Sequence, residues 1–314
     1  MYSIGVDLGG TNIVVGVVDD EYRIVATAKC NTNAPRLAEE ILEDIARLSR
    51  EAVKKAALSM EQMAFIGIGS PGTCNTDTGM VEYANNLGFI NVPVCEIMHE
   101  KLGLPVYIEN DANAAALGEA KAGAAKGANS CVCITLGTGV GGGIIIDGKI
   151  YGGFNFSGAE VGHIVIEQDG EPCTCGRNGC WEAYASATAL VRQTKKAMQE
   201  NPDSQMWKIA GSLELVNGLT AFDAMRAGDA AGTAVVEQYI AYVACGVTNM
   251  VNIFQPEILC IGGGVSKEGE TLLAPLRKHV EAERYSRYSE KQTKICVATL
   301  GNDAGVIGAA CLGR

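Results

Sequence analysis

The sequence predicts an α/β protein built from two related halves. Three observations carry that prediction. A strand–glycine–strand plan occurs twice, at a constant offset of 128 residues that relates Leu8 to Leu136, Gly9 to Gly137, Val17 to Ile145, Val18 to Ile146 and Asp19 to Asp147. Short apolar runs with strand character alternate with longer stretches of helical periodicity. The chain has 314 residues, 47% of them hydrophobic and 19% charged, which suffices for two ordinary domains with sizeable cores.

Composition narrows the class further. The net charge is −11 and the isoelectric point about 4.9, which disfavours nucleic acid and anionic membranes as partners. The start, MYSIGVDLGG, has no basic segment and runs straight into a strand, so no signal peptide is expected. No apolar run is expected to cross a membrane. Twelve cysteines would suggest disulfides in a secreted chain. Setting aside the three in the loop described below leaves an odd number. Cys131, Cys133, Cys260 and Cys296 lie inside apolar strand-like segments, as reduced core thiols of a cytoplasmic protein would.

Residues 2–7 read as a buried strand. Gly9, Gly10 and Thr11 turn, Ile13 to Val18 return, and Arg23 to Ala28 form a third strand. This is a glycine-tipped hairpin, not the strand-to-helix turn of a P-loop, and G-x4-G-K-[ST] is absent. Such a tip is either a plain tight turn or a cradle in which backbone N–H groups and the Thr11 hydroxyl hold phosphate. Asp7, at the strand end, is placed to reach Mg2+ directly or through water. The second copy, CITLGTGVGGGIIIDG, carries Gly137, Thr138 and Gly139 at its tip. It fits G-x-G-x-x-G, but a strand follows where a dinucleotide fingerprint needs a helix. Two phosphate-sized hairpins on related halves imply a cleft between the halves.

Residues 36–58 carry Leu37, Ile41, Ile45, Leu48 and Val53 at helical spacing. Ala64 to Gly69 is a buried strand ending in the turn Ser70–Thr73. After a short strand, Met80 to Tyr83, come Asn85 and Asn86, ordinary loop residues on their own. Pro105 to Glu109 is a strand that runs into Asn110, Asp111, Ala112 and Asn113, and Ala114 to Gly123 is helical. Asp111 sits where the strand ends and the helix begins. It reads as a helix N-cap, and also as a residue at the carboxyl end of a strand, where α/β folds place ligands. Ala183 to Glu200 reads as one helix, and 201–227 as short segments without an assigned task. Asp229 caps a long apolar helix through Phe254. Glu257 to Ile261 is a strand followed by Gly262, Gly263 and Gly264. Lys267 to Glu283 is helical, Ile295 to Thr299 a last strand, and Asp303 to Leu312 a small-residue helix. The expected division is 1–112, with 303–314 packing back on it, and 113–302.

The densest chemistry lies in 158–182, GAEVGHIVIEQDGEPCTCGRNGCWE. Cys173, Cys175 and Cys180 are spaced C-x-C-x4-C, with Gly176 and Gly179 letting the backbone turn tightly. His163 is near enough to add a fourth ligand. One histidine and three cysteines make a closed tetrahedral set, the form of a structural Zn2+ site. The alternative is three buried thiols and a surface histidine. Glu160 and Glu182 flank the cluster.

G-x-E-x-G-H followed by C-x-C-G-x2-G-C-x-E resembles the signature of the ROK family of sugar kinases and related repressors, closest to its glucokinase branch, and the resemblance extends over nearly the whole chain. The two hairpins likewise resemble the actin-like ATPase and sugar-kinase (ribonuclease H-like) fold. The resemblance implies ATP and Mg2+ as cofactors and glucose as acceptor, with phosphoryl transfer to its 6-hydroxyl. It implies Asp111 as general base, and Asn86, Asn110, Glu160, His163 and Glu182 on the sugar. It implies Asp7, Gly9, Gly10, Thr11, Gly137, Thr138 and Gly139 at the phosphates, Gly263 and Gly264 beside the adenosine, and a homodimer. His163 would then serve both Zn2+ and sugar. N-acetylmannosamine, N-acetylglucosamine and fructose kinases share these motifs. A sugar-responsive regulator of the family carries a DNA-binding module before the first hairpin; here six residues precede Asp7 and the chain is acidic, which disfavours that role. The carboxylate-rich metal loop argues against a non-sugar ATPase.

Overall fold

The first strands are β1 (Tyr2–Leu8), β2 (Asn12–Val18) and β3 (Ile24–Asn31), which pair antiparallel in sequence. This is the computed structural model of the chain, and it describes all of residues 1–314. Next come α1 (Ala38–Lys55), β4 (Met63–Ser70), β5 (Thr73–Asn75), β6 (Met80–Ala84), β7 (Phe89–Val92), α2 (Val94–Leu102), β8 (Val106–Asn110) and α3 (Asp111–Ala122). The second half holds β9 (Cys131–Leu136), β10 (Val140–Ile146), β11 (Lys149–Ile150), α4 (Glu182–Ala185), α5 (Ala187–Glu200), α6 (Gln205–Ala210), α7 (Thr220–Arg226), α8 (Ala230–Phe254), β12 (Ile258–Gly262), α9 (Glu270–Glu283), β13 (Lys294–Val297) and α10 (Ala304–Ala309).

Two five-stranded sheets repeat one plan. The first runs β3-β2-β1-β4-β8 and the second β11-β10-β9-β12-β13, while β5-β6-β7 form a small third sheet. In the first, β1–β4 and β4–β8 are parallel, so the carboxyl ends of three strands lie together. Ile4, Val6, Leu8, Ile13, Val15 and Val17 are fully buried. The apolar stripe of α1, Ile41, Ile45, Leu48 and Val53, joins the same core. Acidic Glu39 and Glu40 begin that helix and Lys54 and Lys55 end it, which suits its dipole.

The chain divides into two compact units. The first comprises Met1–Cys133, Gly142–Ala159 and Ala298–Arg314; the second comprises Ile134–Gly141 and Glu160–Val297. In the first unit α10 lies directly on the sheet. A Cβ at Gly5 would fall 1.9 Å from the Val306 oxygen, and one at Gly67 would fall 1.9 Å from the Ala309 oxygen. Only glycine permits that approach. Ser3 Oγ donates to the Ala310 oxygen at 2.9 Å.

Several elements differ from the sequence reading. Ala183–Glu200 is two helices, because Ser186 is extended and its hydroxyl caps α5 by accepting from Ala189 N–H. Residues 201–227 contain α6 and α7. The helix expected from Lys267 begins at Glu270, after a 3-10 turn over Gly264–Glu268. Helix α8, capped by Asp229 as expected, is long and apolar enough to cross a membrane by length and composition, which corrects the expectation that no run is. Half of that apolar stretch is buried in the fold, where α8 packs on α5, α7 and α9.

Candidate active site

In the first unit, the carboxyl ends of β1 and β8 each present a carboxylate. Asn110, not Asp111, caps α3: its Oδ1 accepts from Ala112 N–H at 2.9 Å and Asn113 N–H at 3.2 Å. Asn110 Nδ2 donates to the Gly72 oxygen at 3.2 Å, so both ends of that amide are engaged. Asp111 is the first helical residue, and its Oδ1 accepts its neighbour Ala112 N–H at 2.8 Å. Burial pushes the Asp111 carboxyl above the usual range, against the pull of that bond. Asp7 is pushed up to about 6, first by burial and then by the charge of Asp111. Behind them Glu109 is buried, and its Oε1 accepts from Asn110 N–H at 2.8 Å and Asn113 Nδ2 at 3.0 Å. These bonds fix the first turn of α3, and with it the aim of Asp111.

The β1–β2 tip is held from β3. Thr32 is buried, donates its hydroxyl to the Gly9 oxygen at 2.6 Å, and donates its N–H to the Thr11 oxygen at 2.8 Å. Thr11 itself is exposed. Asn86 comes close: a Cβ at Gly10 would meet its Cβ at 3.3 Å.

In the second unit the β9–β10 tip is held by α5. Ala187 N–H donates to the Gly137 oxygen at 2.8 Å, and Thr188 Oγ1 donates to the Thr138 oxygen at 2.8 Å. The tip therefore lies at the positive end of a fourteen-residue helix, an anion-binding arrangement. Glu182 Oε2 accepts from Val140 N–H at 2.9 Å, so closely that a Cβ at Gly139 would fall 2.3 Å from that oxygen. Gly263 has φ +84°, its would-be Cβ lies 2.4 Å from the Leu136 oxygen, and its own oxygen accepts from Ser266 Oγ at 2.8 Å.

His163, Cys173, Cys175 and Cys180 offer four ligand atoms that all lie within 4.8 Å of one another. Cys173 Sγ is 3.6 Å from His163 Nδ1, and Cys175 Sγ is 3.6 Å from Cys180 Sγ. Tetrahedral thiolate and imidazole ligation of Zn2+ needs spacings of that size, so the residues fit the ion. Nδ1 faces the thiols, which leaves Nε2 for another partner. The loop is anchored by Trp181, fully buried between Cys180 and Glu182, which donates Nε1–H to the Tyr242 oxygen at 2.8 Å. Glu182 Oε1 accepts from Thr174 Oγ1 at 3.4 Å, which ties the loop to the β10 tip. Glu160 is exposed at the head of the 3-10 turn Val161–His163.

Three contributors escaped the sequence reading: Thr32, the start of α5 at Ser186–Thr188, and Glu109. The S-x-x spacing of a cap before Ala189 was the available signal for α5.

The ROK family model matches residues 3–314. The chain is 39% identical over 310 residues to a glucokinase of Halalkalibacterium halodurans, covering 98% of this chain and 94% of that one. It resembles the crystal structure of a ROK family glucokinase from Streptomyces griseus in complex with glucose and AMPPNP, with TM-score 0.82, 37% identity and 99% of each chain covered. It also resembles the ROK hexokinase from Thermus thermophilus, with TM-score 0.83, 33% identity, 99% of this chain and 97% of that one covered.

Proposed function

The chain belongs to the ROK family, and from that premise we infer that it is an ATP-dependent sugar kinase that phosphorylates glucose at the 6-hydroxyl, giving glucose 6-phosphate and ADP. Its fold is the actin-like ATPase and sugar-kinase fold. The observation that carries the chemistry is Asp111, a buried carboxyl at the first residue of a helix that follows a parallel strand.

Asp111 accepts the proton of the 6-hydroxyl as that oxygen bonds to the γ-phosphorus and the bond to the bridging oxygen of ADP breaks. Raising its proton affinity brings it nearer the working pH, which favours a general base. Glu109 and Asn110 are positioning residues, since they hold the turn that carries it. In the first unit Gly9, Gly10 and Thr11 offer donors to phosphate, and the Asn86 amide and the second Nδ2 hydrogen of Asn110 are offered to sugar hydroxyls. In the second, Gly137, Thr138 and Gly139 at the head of α5 do the same for phosphate, and the open turn at Gly263 and Gly264 admits the adenosine. Glu160, His163 and Glu182 face the sugar. Asp7 would hold Mg2+, which supplies neutralisation of phosphate charge. His163 and the three cysteines would hold Zn2+, which supplies a fixed ring orientation, with Nε2 left for a sugar hydroxyl. Four protein ligands make that ion structural.

The cytoplasm suits this reading, since ATP is supplied there and twelve cysteines that form no disulfide stay reduced. A homodimer is supported by exposed Ile253, Tyr285 and Tyr288, which lie around the bond from Tyr285 N–H to Asn252 Oδ1.

A coupled assay across glucose, mannose, fructose and the N-acetylhexosamines tests the substrate. Highest kcat/KM on glucose is expected, and preference for another hexose overturns the assignment. Asp111→Ala should lower kcat by about 10²–10⁴-fold while calorimetric glucose binding persists. Undiminished turnover removes the base.

A further inference from the structure

A cavity of about 570 Å3 opens in the first unit along the free edge of β8, and none of the residues assigned above to sugar, phosphate or metal lines it. Its chemistry is bipolar. At one side stand Lys121 of α3 and Lys149 at the start of β11, neither of which has a carboxylate partner. Arg314 also borders the space, but its guanidinium is committed to Ser3 Oγ, the Asp19 oxygen and the Tyr22 ring. The positive field reaches the wall: burial pushes the Cys311 thiol up to about 11, and Arg314 and Lys121 oppose that rise.

The strand supplies further donors. β8 is an edge strand, and Ile66 N–H bonds to the Pro105 oxygen. By alternation along a parallel ladder, Tyr107 and Glu109 turn their peptide groups to β4, while Val106 and Ile108 turn theirs to the open side.

At the other side lies Glu109, only 7% exposed. Both of its hydrogen bonds use Oε1. Its Oε2 has no partner in the protein, and the residue lines the cavity. That oxygen is open to the cavity, so its donor comes from whatever fills that space.

We propose that this cavity binds a phosphorylated sugar or polyol, with the phosphate on Lys121, Lys149 and the edge N–H groups and a hydroxyl donating to Glu109 Oε2. A phosphate monoester satisfies the cations, but its bare oxygens would be repelled by the glutamate. A neutral sugar satisfies the glutamate and leaves the lysines unmatched. A molecule carrying both groups matches both sides. Its occupancy is communicated directly, because Glu109 Oε1 holds the turn that begins with Asp111.

Calorimetry on the full chain tests this, with saturating glucose and a non-hydrolysable ATP analogue present and glucose 6-phosphate as the titrated probe. One further equivalent should bind. The double variant Lys121→Ala/Lys149→Ala should bind it about ten- to a hundred-fold more weakly, the effect of losing charge-assisted hydrogen bonds, with kcat unchanged in the absence of probe. No second equivalent, or equal binding by the double variant, overturns the site. Inorganic phosphate binding as tightly as the sugar phosphate overturns the hydroxyl contact with Glu109. Wild-type turnover is read separately, so the kinase assignment and this site can fail independently.

Discussion

Asp7 lies at the end of β1 and Asp111 follows the end of β8 in the same sheet, and burial together with the charge of Asp111 makes Asp7 harder to ionise. Asp7 is held at about 6 against an ordinary 3.8. The folded chain therefore keeps the Asp7 proton over a pH range where the unfolded chain has released it. The resulting stabilisation is full below about pH 4 and is lost as pH climbs through about 6. Asp7→Asn, which cannot ionise, should gain on the wild type between those limits by up to ~3 kcal/mol. Urea unfolding at a series of pH values measures this, and a variant that loses ground over the same interval refutes it. The position of these residues at the carboxyl edge of the sheet was legible in the sequence. The division of labour between Asn110 and Asp111 was not. Both residue types cap helices, and only the backbone geometry decides that Asn110 does so here.

At the scale of elements, the hairpins and the gathering of His163 with Cys173, Cys175 and Cys180 were legible from glycine position and residue spacing, because both signals are local. The break between α4 and α5 was hidden. Ala183 to Leu190 is rich in helix formers, and the interruption comes from distant contacts, the bonds from Ala187 and Thr188 to the β9–β10 tip. Thr32 was hidden for the same reason, since its partners Gly9 and Thr11 lie at the β1–β2 tip, more than twenty residues earlier. Two variants probe elements directly. Cys175→Ser should reduce bound metal from about one ion per chain to near none by elemental analysis, with weaker glucose binding; a wild type free of metal would defeat the zinc assignment. Gly5→Ala sets a methyl against the Val306 oxygen and should destabilise the chain by about 3 kcal/mol or more. A midpoint unchanged in urea would mean that α10 can lift from the sheet at little cost.

For the whole molecule, the duplicated plan and the class of fold were legible because each half repeats the same spacing of strand and glycine. Which segments belong to which unit was less so, since that depends on contacts made late in the chain. Self-association belongs to this scale as well. Replacing Ile253 and Tyr285 together by serine should shift a dimer toward monomer in sedimentation equilibrium, with little loss of monomer stability because both side chains are exposed. A variant that sediments as the wild type does would remove Ile253 and Tyr285 from any dimer contact.

The seat of α10 on Gly5 and Gly67 also sets an order of events during translation. The strands that form this seat leave the ribosome early, but the helix that fills it is made about 10–40 s later at ordinary elongation rates. Over that interval the nascent sheet shows a bare, glycine-paved face to solvent. Fusions or truncations that disturb residues 304–309 should therefore harm the oldest part of the polypeptide more than the newest.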